Sequence, residues 1–437
     1  METSLAINQV GEAVRELNSD TYESYDLKVS SKLTTENEEI PSKNSLKSAT
    51  VIRDNFQSIS SRPLGNEFSD GLGGVRTVWL DNLKGIAIIL MVLGHSGAPF
   101  THWIFLFHMA VFYIAAGYTW NDKHVASCES LKHYIIRKIK TLYLPYFFCE
   151  LLFLLLYNPF IELGIYPSSE EYLTLIGSND ESLLQSHIGA TFFLKRLLMI
   201  IGTLGWADLA GATWFFVSLF IALCVYAILE YLLKTICKLN NRNATIFQSV
   251  IAVVFLLVAW MINENKFSAF IFNRLFAAYP LLVIGHYIKE LNKRINWKPL
   301  GCILVTVISF AILYFMDDKG SISMARCKIE NPLFFLIVSL AGWYLLESIS
   351  RLIPKSFLAK LGESTRSIVM WHFASMKLVT LAYILIMELP IILLGAYPYL
   401  DNTTSWMWIV YTIVGVAIPY VLGILYDFLL KDSKYKI

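Results

Sequence analysis

Apolar residues in this chain fall into blocks of about 20, separated by shorter polar stretches. A helix of that length crosses the hydrocarbon core of a bilayer, which is roughly 30 Å thick. Of the 437 residues, 56% are hydrophobic and only 16% are charged, whereas a soluble domain carries about 25% charged residues. The pattern predicts an all-α polytopic membrane protein. The net charge of +2 gives no reason to expect a nucleic-acid partner.

The block pattern predicts about ten transmembrane helices, with both termini cytoplasmic. Their approximate ranges are 78–97, 102–120, 141–161, 212–233, 245–263, 269–288, 299–316, 332–350, 367–388 and 405–430. Lys and Arg are about three times as frequent in the loops on the side of the termini as in the opposite loops, which sets this orientation. Within the long outer loop 162–211, an apolar stretch is interrupted by Lys195 and Arg196. That stretch is predicted to be an interfacial helix rather than a span.

The first 76 residues differ from the rest of the chain. They are rich in Ser, Thr, Asn, Glu and Lys and poor in aromatic residues. Such a composition buries too little apolar surface to offset the entropy of ordering. Residues 1–76 are therefore predicted to be a disordered cytoplasmic tail, and residues 77–437 the membrane domain.

The cysteines and histidines do not follow the spacing of known metal sites, so no metal site is expected. Only Cys327 of the six cysteines falls in an outer loop, which argues against an internal disulfide framework. Nothing in the sequence indicates an oligomeric state.

The first span, LDNLKGIAIILMVLGHSG, carries three ionisable residues: Asp81, Lys84 and His95. Lys84 and His95 are 11 residues apart, which places them on one face of a helix and about 16 Å apart along its axis. Ionisable side chains avoid lipid, so this stripe should face the bundle interior or a cavity. Lys84 alone could reach the inner interface by extending its side chain. The stripe as a whole predicts a functional face, with Lys84 near the cytoplasm and His95 near the outer surface.

The second span, HWIFLFHMAVFYIAAGYTW, follows a short turn and should pack antiparallel beside the first. It places His108 near its outer end, at a depth similar to that of His95. Two histidines in adjacent spans are uncommon, since ionisable residues inside spans are rare. The pair is therefore a candidate catalytic centre.

Six segments together resemble the membrane-bound acyltransferase 3 family, and in particular its fucose 4-O-acetylase-like branch. They are LDNLKGIAIILMVLGHS, FHMAVFYIAAGYTW, IIRKIKTLYLPYFF, ATWFFVSLF, RLFAAYPLLVIGHYI and LAKLGESTRSIVMWHF, in that order along residues 78–430. The family hallmark is a basic residue, usually Arg, then ten intervening residues and a His, which corresponds here to Lys84 and His95. Lys keeps the charge but loses the bidentate geometry of Arg. Ala110 and Ala116 also depart from the branch pattern.

The resemblance implies transfer of an acetyl or other acyl group from cytoplasmic acyl-CoA to a hydroxyl of a cell-surface or lipid-linked carbohydrate. It implies a multi-pass protein of a cell membrane, in particular a bacterial plasma membrane, and no bound cofactor besides the acyl-CoA donor. His95 would be the general base, because imidazole titrates near working pH. The expected catalytic residues are His95, Lys84 and His108.

Basic residues before the third helix match the family and would bind the phosphates of CoA, although positive-inside loops carry such residues without any ligand. They are Arg137, Lys138 and Lys140. Other polar residues in or near the spans are candidates for substrate binding. These are Arg274, Asn273, Trp214, His372, Asp81, Glu150 and Lys377. Glu150 is expected to be the buried partner of one of the intramembrane cations, and His372 to lie near the inner end of the ninth helix.

Two other functions remain open from the sequence. A transporter or flippase of lipid-linked sugars would also carry intramembrane charges, although the two halves show no repeat. A membrane scaffold would use polar residues only to join helices, and the two clustered histidines argue against it.

Overall fold

The computed structural model describes residues 67–70, 74–205, 207–264, 272–354, 356–401 and 403–429. Most of the predicted tail, residues 1–66, therefore lies outside the described residues, as do Trp206, Lys266 and Lys355 in the loops. The end of the tail forms an antiparallel pair of strands, β1 (Glu67–Asp70) and β2 (Gly74–Thr77), where no ordered structure was expected. Helix α1 follows directly.

The membrane domain is built of helices, as the block pattern predicts. The first half contains α1 (Val78–Gly94), α2 (Thr101–Phe105), α3 (His108–Tyr118), α4 (Cys128–Lys138), α5 (Leu144–Leu155), α6 (Tyr157–Glu162), α7 (Glu170–Ile176) and α8 (Ala190–Ile201). The second half contains α9 (Trp214–Tyr231), α10 (Asn241–Glu264), α11 (Asn273–Asn292), α12 (Pro299–Met316), the short strands β3 (Ile322–Ser323) and β4 (Lys328–Ile329), α13 (Pro332–Leu352), α14 (Phe357–Glu363), α15 (Thr365–Ile386) and α16 (Met407–Leu429).

Among the described residues, seven helical segments are long and apolar enough to cross a membrane. They are Thr101–Tyr118, Asp208–Ile236, Asn241–Glu264, Pro299–Met316, Pro332–Leu352, Thr365–Ile386 and Met407–Leu429. The other three predicted spans correspond to α1, α5 and α11. Helix α1 has 17 residues, and α5 is continued by α6 after a break at Leu156. The chain is therefore an all-α polytopic membrane protein.

The helices divide into an inner group and an outer group. Helices α3, α9 and α13 are largely buried, whereas α10, α12 and α16 expose large apolar side chains along their length. An exposed apolar surface of this extent is typical of contact with lipid. Helix α8, the predicted interfacial helix, has only 12 residues and exposes Leu194 and Leu198.

Helix α14 packs tightly against the beginning of α1. A Cβ on Gly85 would overlap the carbonyl oxygen of Leu358, and a Cβ on Gly362 would overlap the carbonyl oxygen of Asp81. Both positions therefore need glycine because two backbones meet there. Helix α14 occupies the space beside the first turns of α1. Helix α15 therefore begins farther along α1, toward the end that carries His95.

A buried ion pair within the end of α13 packs against the start of α1. The guanidinium of Arg351 binds Glu347 at 2.7 Å and lies between the rings of Trp79 and Trp297, at 4.2 and 4.7 Å from their centroids. Glu347 also accepts a hydrogen bond from Trp343 Nε1 at 2.7 Å. Because these partners satisfy both charges, the pair is tolerated inside the bundle.

Candidate active site

His95 lies at the point where α1 ends. Its backbone has left the helical conformation, at φ −102° and ψ 3°, while its N–H still bonds to Val92 O. The half-buried imidazole packs between the rings of Phe105 and Phe373, whose centroids lie 5.6 and 5.0 Å away. On the same face of α1, Asp81 is buried together with Ile88 and Met91, and Lys84 is partly buried. The predicted inward orientation of the stripe is confirmed.

His108 is the first residue of α3, because the second predicted span is broken at Phe107. Phe107 adopts φ −140° and ψ −23° and packs closely against Gly342. His108 is buried, and its Nδ1 lies 2.9 Å from Ile104 O. Since a carbonyl can only accept, Nδ1 carries the proton and Nε2 presents a lone pair. The ring of Phe105 lies 5.2 Å from His108 and also contacts His95.

His95 and His108 both line one cavity of about 410 Å³. They therefore lie close together, as the sequence predicts. Trp214, at the start of α9, forms a second wall. The segment Ile322–Arg326, in the α12–α13 connection, forms a third and contributes Ser323 and Arg326. The complete lining comprises Met91, His95, Phe105, His108, Met109, Phe112, Ala212, Trp214, Phe215, Ile322–Arg326 and Val369. The distribution of Lys and Arg between the loops places this connection on the outer side of the membrane.

His372 lies beside His95 rather than near the inner end of the bundle. The centroids of the two imidazoles are 5.7 Å apart. His372 is fully buried, and its Nδ1 lies 3.0 and 3.1 Å from the carbonyls of Ile368 and Val369. The prediction that His372 lies near the inner surface was wrong. Helix α14 occupies the space beside the first turns of α1, so α15 begins closer to His95. A ring this close to His95 belongs to the same centre.

Arg274 and Asn273, predicted to bind substrate, support the walls of the cavity. The guanidinium of Arg274 lies over the ring of Trp214 at 5.3 Å, and its Nε donates to Ala325 O at 2.7 Å. The carbonyl of Asn273 accepts from Cys327 Sγ at 2.9 Å. Both residues thus connect the start of α11 to the segment that closes the cavity.

Lys84 lies at the opposite end of α1 from His95, where its ammonium is 3.8 Å from Asp81. The end of α4 is close by. Burial, with the charges of Arg137 and Lys84, lowers the pKa of Lys138 to about 8. Arg137 and Lys138 also face the ring of Tyr134 at 5.7 and 5.2 Å. Lys84, Arg137 and Lys138 thus form an inner basic cluster.

Lys140, the third predicted phosphate ligand, is exposed on the π-helical segment Ile139–Tyr143 that joins α4 to α5. It follows the inner basic cluster along the chain. No ligand is needed to explain its exposure, since basic residues are common at this side of a membrane protein.

Lys377 and Glu150 are both buried and form hydrogen bonds with residues outside their own helices. The buried ammonium of Lys377 donates to the carbonyls of Ile165, Leu394 and Ala396 at 3.1, 2.7 and 2.7 Å. The buried carboxylate of Glu150 accepts from the backbone N–H of Ala207 at 3.0 Å and from the Thr213 hydroxyl at 2.8 Å. The ammonium has three donors, and the three carbonyls can accept all of them. Asp208 is close enough to interact with the ammonium electrostatically. The role of Glu150 as partner of a buried cation stays a prediction.

The sequence does not reveal three parts of the site. Phe105 and Phe373 hold His95 from two sides, but aromatic residues are too common in the chain to stand out. The segment Ile322–Arg326 lies in a loop whose position over the cavity depends on Arg274. Only the polar character of this loop could have drawn attention to it.

Comparison with known families gives a match over most of the membrane domain. The model of the acyltransferase 3 family, described as an acyltransferase domain, matches residues 77–424. No curated protein and no solved structure matches the chain significantly. The matched range begins just before α1 and includes every residue that lines the cavity. The chain belongs to the acyltransferase 3 family and is a multi-pass membrane acyltransferase.

Proposed function

We propose that the protein transfers an acyl group, acetyl in the simplest case, from acyl-CoA to a hydroxyl of a cell-surface or lipid-linked carbohydrate. The observation that carries this proposal is the position of His95. Its half-buried imidazole lines a cavity of about 410 Å³ together with the side chains of His108 and Trp214. A neutral imidazole with a free lone pair is suited to take a proton from an alcohol.

In the proposed reaction, the acceptor hydroxyl lies against His95 and attacks the thioester carbonyl of the donor. The C–O bond forms and the C–S bond breaks. The hydroxyl proton passes to His95 and from there to the departing CoA thiolate, so that the imidazole is regenerated. His108 presents the lone pair of Nε2 to the same cavity and can accept a hydrogen bond from a second hydroxyl of the acceptor.

A carbohydrate fits the lining of the cavity. Trp214 offers an aromatic face, held by the Arg274 guanidinium at 5.3 Å, against which the C–H face of a sugar ring can pack. Ser323 and Arg326 add polar groups to the wall formed by the segment Ile322–Arg326. A few polar groups in a largely apolar pocket are typical of sites that fix the orientation of a small ligand.

The inner basic cluster supports the choice of donor. CoA carries several phosphate charges, and the cluster of Lys84, Arg137 and Lys138, followed by Lys140, offers cations for them. Lys84 lies about 16 Å from His95 along α1. A donor whose charged end stays at the cluster therefore needs an extended arm to bring its thioester to His95, and the pantetheine arm of CoA is such a linker.

The reaction can be tested in membranes that contain the protein, supplied with CoA that carries a labelled acetyl group. We expect the label on surface glycan or lipid-linked sugar, and its release by mild base as for an O-ester. Membranes without the protein are the control. If the sugar crosses the membrane in a protein-dependent way and never acquires label, the protein is a transporter and the proposal fails.

A further inference from the structure

One nitrogen of His372 is buried without a hydrogen-bond partner. Its Nδ1 donates to the carbonyls of Ile368 and Val369, so Nε2 carries a lone pair. Within the described part of the chain, no group bonds to Nε2. A buried polar atom without a hydrogen-bond partner destabilises the folded protein. A fully apolar side chain at this position would avoid that cost.

His95 lacks what a general base needs. In the part of the chain that the structure describes, neither of its ring nitrogens has a hydrogen bond. Its neighbours Phe105 and Phe373 hold the ring by packing, but an aromatic ring cannot determine which nitrogen carries the proton. A base acts well only when one nitrogen is protonated and fixed while the lone pair of the other is directed at the substrate.

His372 can supply the missing partner. Its ring lies 5.7 Å from that of His95, centroid to centroid, and it is not part of the cavity lining. His108 also presents a lone pair, but it does so from the cavity wall, where the acceptor would bind. His372 is thus the imidazole that can bind His95 without competing with substrate.

We propose that His372 is a positioning residue for His95: its Nε2 accepts a hydrogen bond from one N–H of His95, which directs the other nitrogen into the cavity. The inference rests on the proposed function. When His95 takes the hydroxyl proton, the same hydrogen bond stabilises the imidazolium, because a charged donor strengthens it. Hydrogen bonds of this kind often tighten only when substrate is bound.

Two substitutions separate this role from a structural one. In His372→Gln, the amide oxygen comes close to the position of Nε2 and can still accept from His95. In His372→Asn, the amide N–H can replace the Nδ1 bond to Ile368, but no acceptor reaches His95. Unfolding temperature in detergent and the kcat and KM for both substrates are measured for each variant.

We expect His372→Gln to keep kcat within about threefold of the wild type and His372→Asn to lose about 10-fold or more, with both KM values little changed. His108→Asn is the matched control and should raise the KM for the acceptor instead.

If the wild type and His372→Asn have equal kcat, the role of His372 is overturned, whereas the proposed function is not. Equal losses in both His372 variants, together with lowered unfolding temperatures, also overturn it in favour of a packing role. If the wild type transfers no acyl group, the proposed function fails and the inference with it.

Discussion

The guanidinium of Arg274 lies 5.3 Å over the ring of Trp214, and its Nε holds the carbonyl of Ala325 at 2.7 Å. One side chain thus connects two walls of the cavity that contains His95. Arg274 would otherwise be an unexplained charge in the outer part of a helix. Its contacts indicate that it shapes the acceptor side of the cavity.

Replacing Arg274 with Met should weaken acceptor binding. The segment Ile322–Arg326 loses its hydrogen bond and Trp214 loses a cation–π contact, each contributing about 1 kcal/mol. We expect the KM for the acceptor to rise about 10-fold or more, and the KM for the donor to stay the same. Steady-state kinetics with each substrate varied in turn measures both. The control is Arg242→Met, an exposed residue at the start of α10. A rise in the donor KM alone would contradict this role.

Lys138 should make donor binding depend on pH. Burial, together with the charges of Arg137 and Lys84, lowers its pKa to about 8, and Cys224 is its other titratable neighbour. The ammonium is mostly charged at pH 7 and mostly neutral at pH 9. The KM for acyl-CoA should therefore rise about 3- to 10-fold between these values, as expected for the loss of one favourable charge.

Two variants of Lys138 provide the control for this pH dependence. Lys138→Arg stays charged across the range, so its donor KM should be flat between pH 7 and 9. Lys138→Gln should show, already at pH 7, the weak binding of the wild type at pH 9. If the donor KM of Lys138→Arg changes with pH as it does in the wild type, Lys138 does not contribute to donor binding.

Lys377 should matter for stability. Its ammonium satisfies three carbonyls, one before α7 and two in the segment that follows α15. Lys377→Met leaves these carbonyls buried without partners and should cost about 3 kcal/mol or more. Thermal unfolding in detergent should shift down by several degrees. Lys319→Met, which removes an exposed pair with Asp318, should change stability by less than about 1 kcal/mol. Equal effects of the two substitutions would contradict the account.

Gly85 should not tolerate a side chain. Its Cβ would overlap the carbonyl oxygen of Leu358, so Gly85→Ala must push α14 away from α1. We expect a loss of more than about 2 kcal/mol in unfolding free energy. Gly301→Ala is the matched control, because nothing lies within 4 Å of that position. It should be neutral or slightly stabilising, since Ala is the better helix former. An unchanged unfolding temperature in Gly85→Ala would show that the two helices are less tightly packed.

The sequence predicts much of this fold because a lipid environment leaves few choices. Long apolar segments must form helices to satisfy their backbone groups, so the seven spanning segments lie where the apolar blocks do. The pairing of His95 with His108 was also predictable, since a short turn forces the first two spans to be neighbours. The break at Phe107 was not, because it depends on space beside Gly342.

Contacts between distant parts of the chain could not be predicted. His372 reaches His95 because α14 fills the space beside Asp81 and Gly85 before α15 begins. Helix lengths alone place His372 too close to the inner surface. Lys377 illustrates the same limit. A buried cation suggests an acid partner, whereas its ammonium is satisfied by carbonyls of loops whose course no local pattern reveals.

The most direct test of the account is the rate of acyl transfer by His95→Ala. Removal of a general base lowers kcat by about 10²–10⁴-fold. We expect a loss of that size, with an unfolding temperature close to that of the wild type and KM values changed only a few-fold. The control is His102→Ala, an exposed histidine paired with Asp317, which should keep the wild-type rate. A folded His95→Ala protein that transfers acyl groups at the wild-type rate would contradict the central claim.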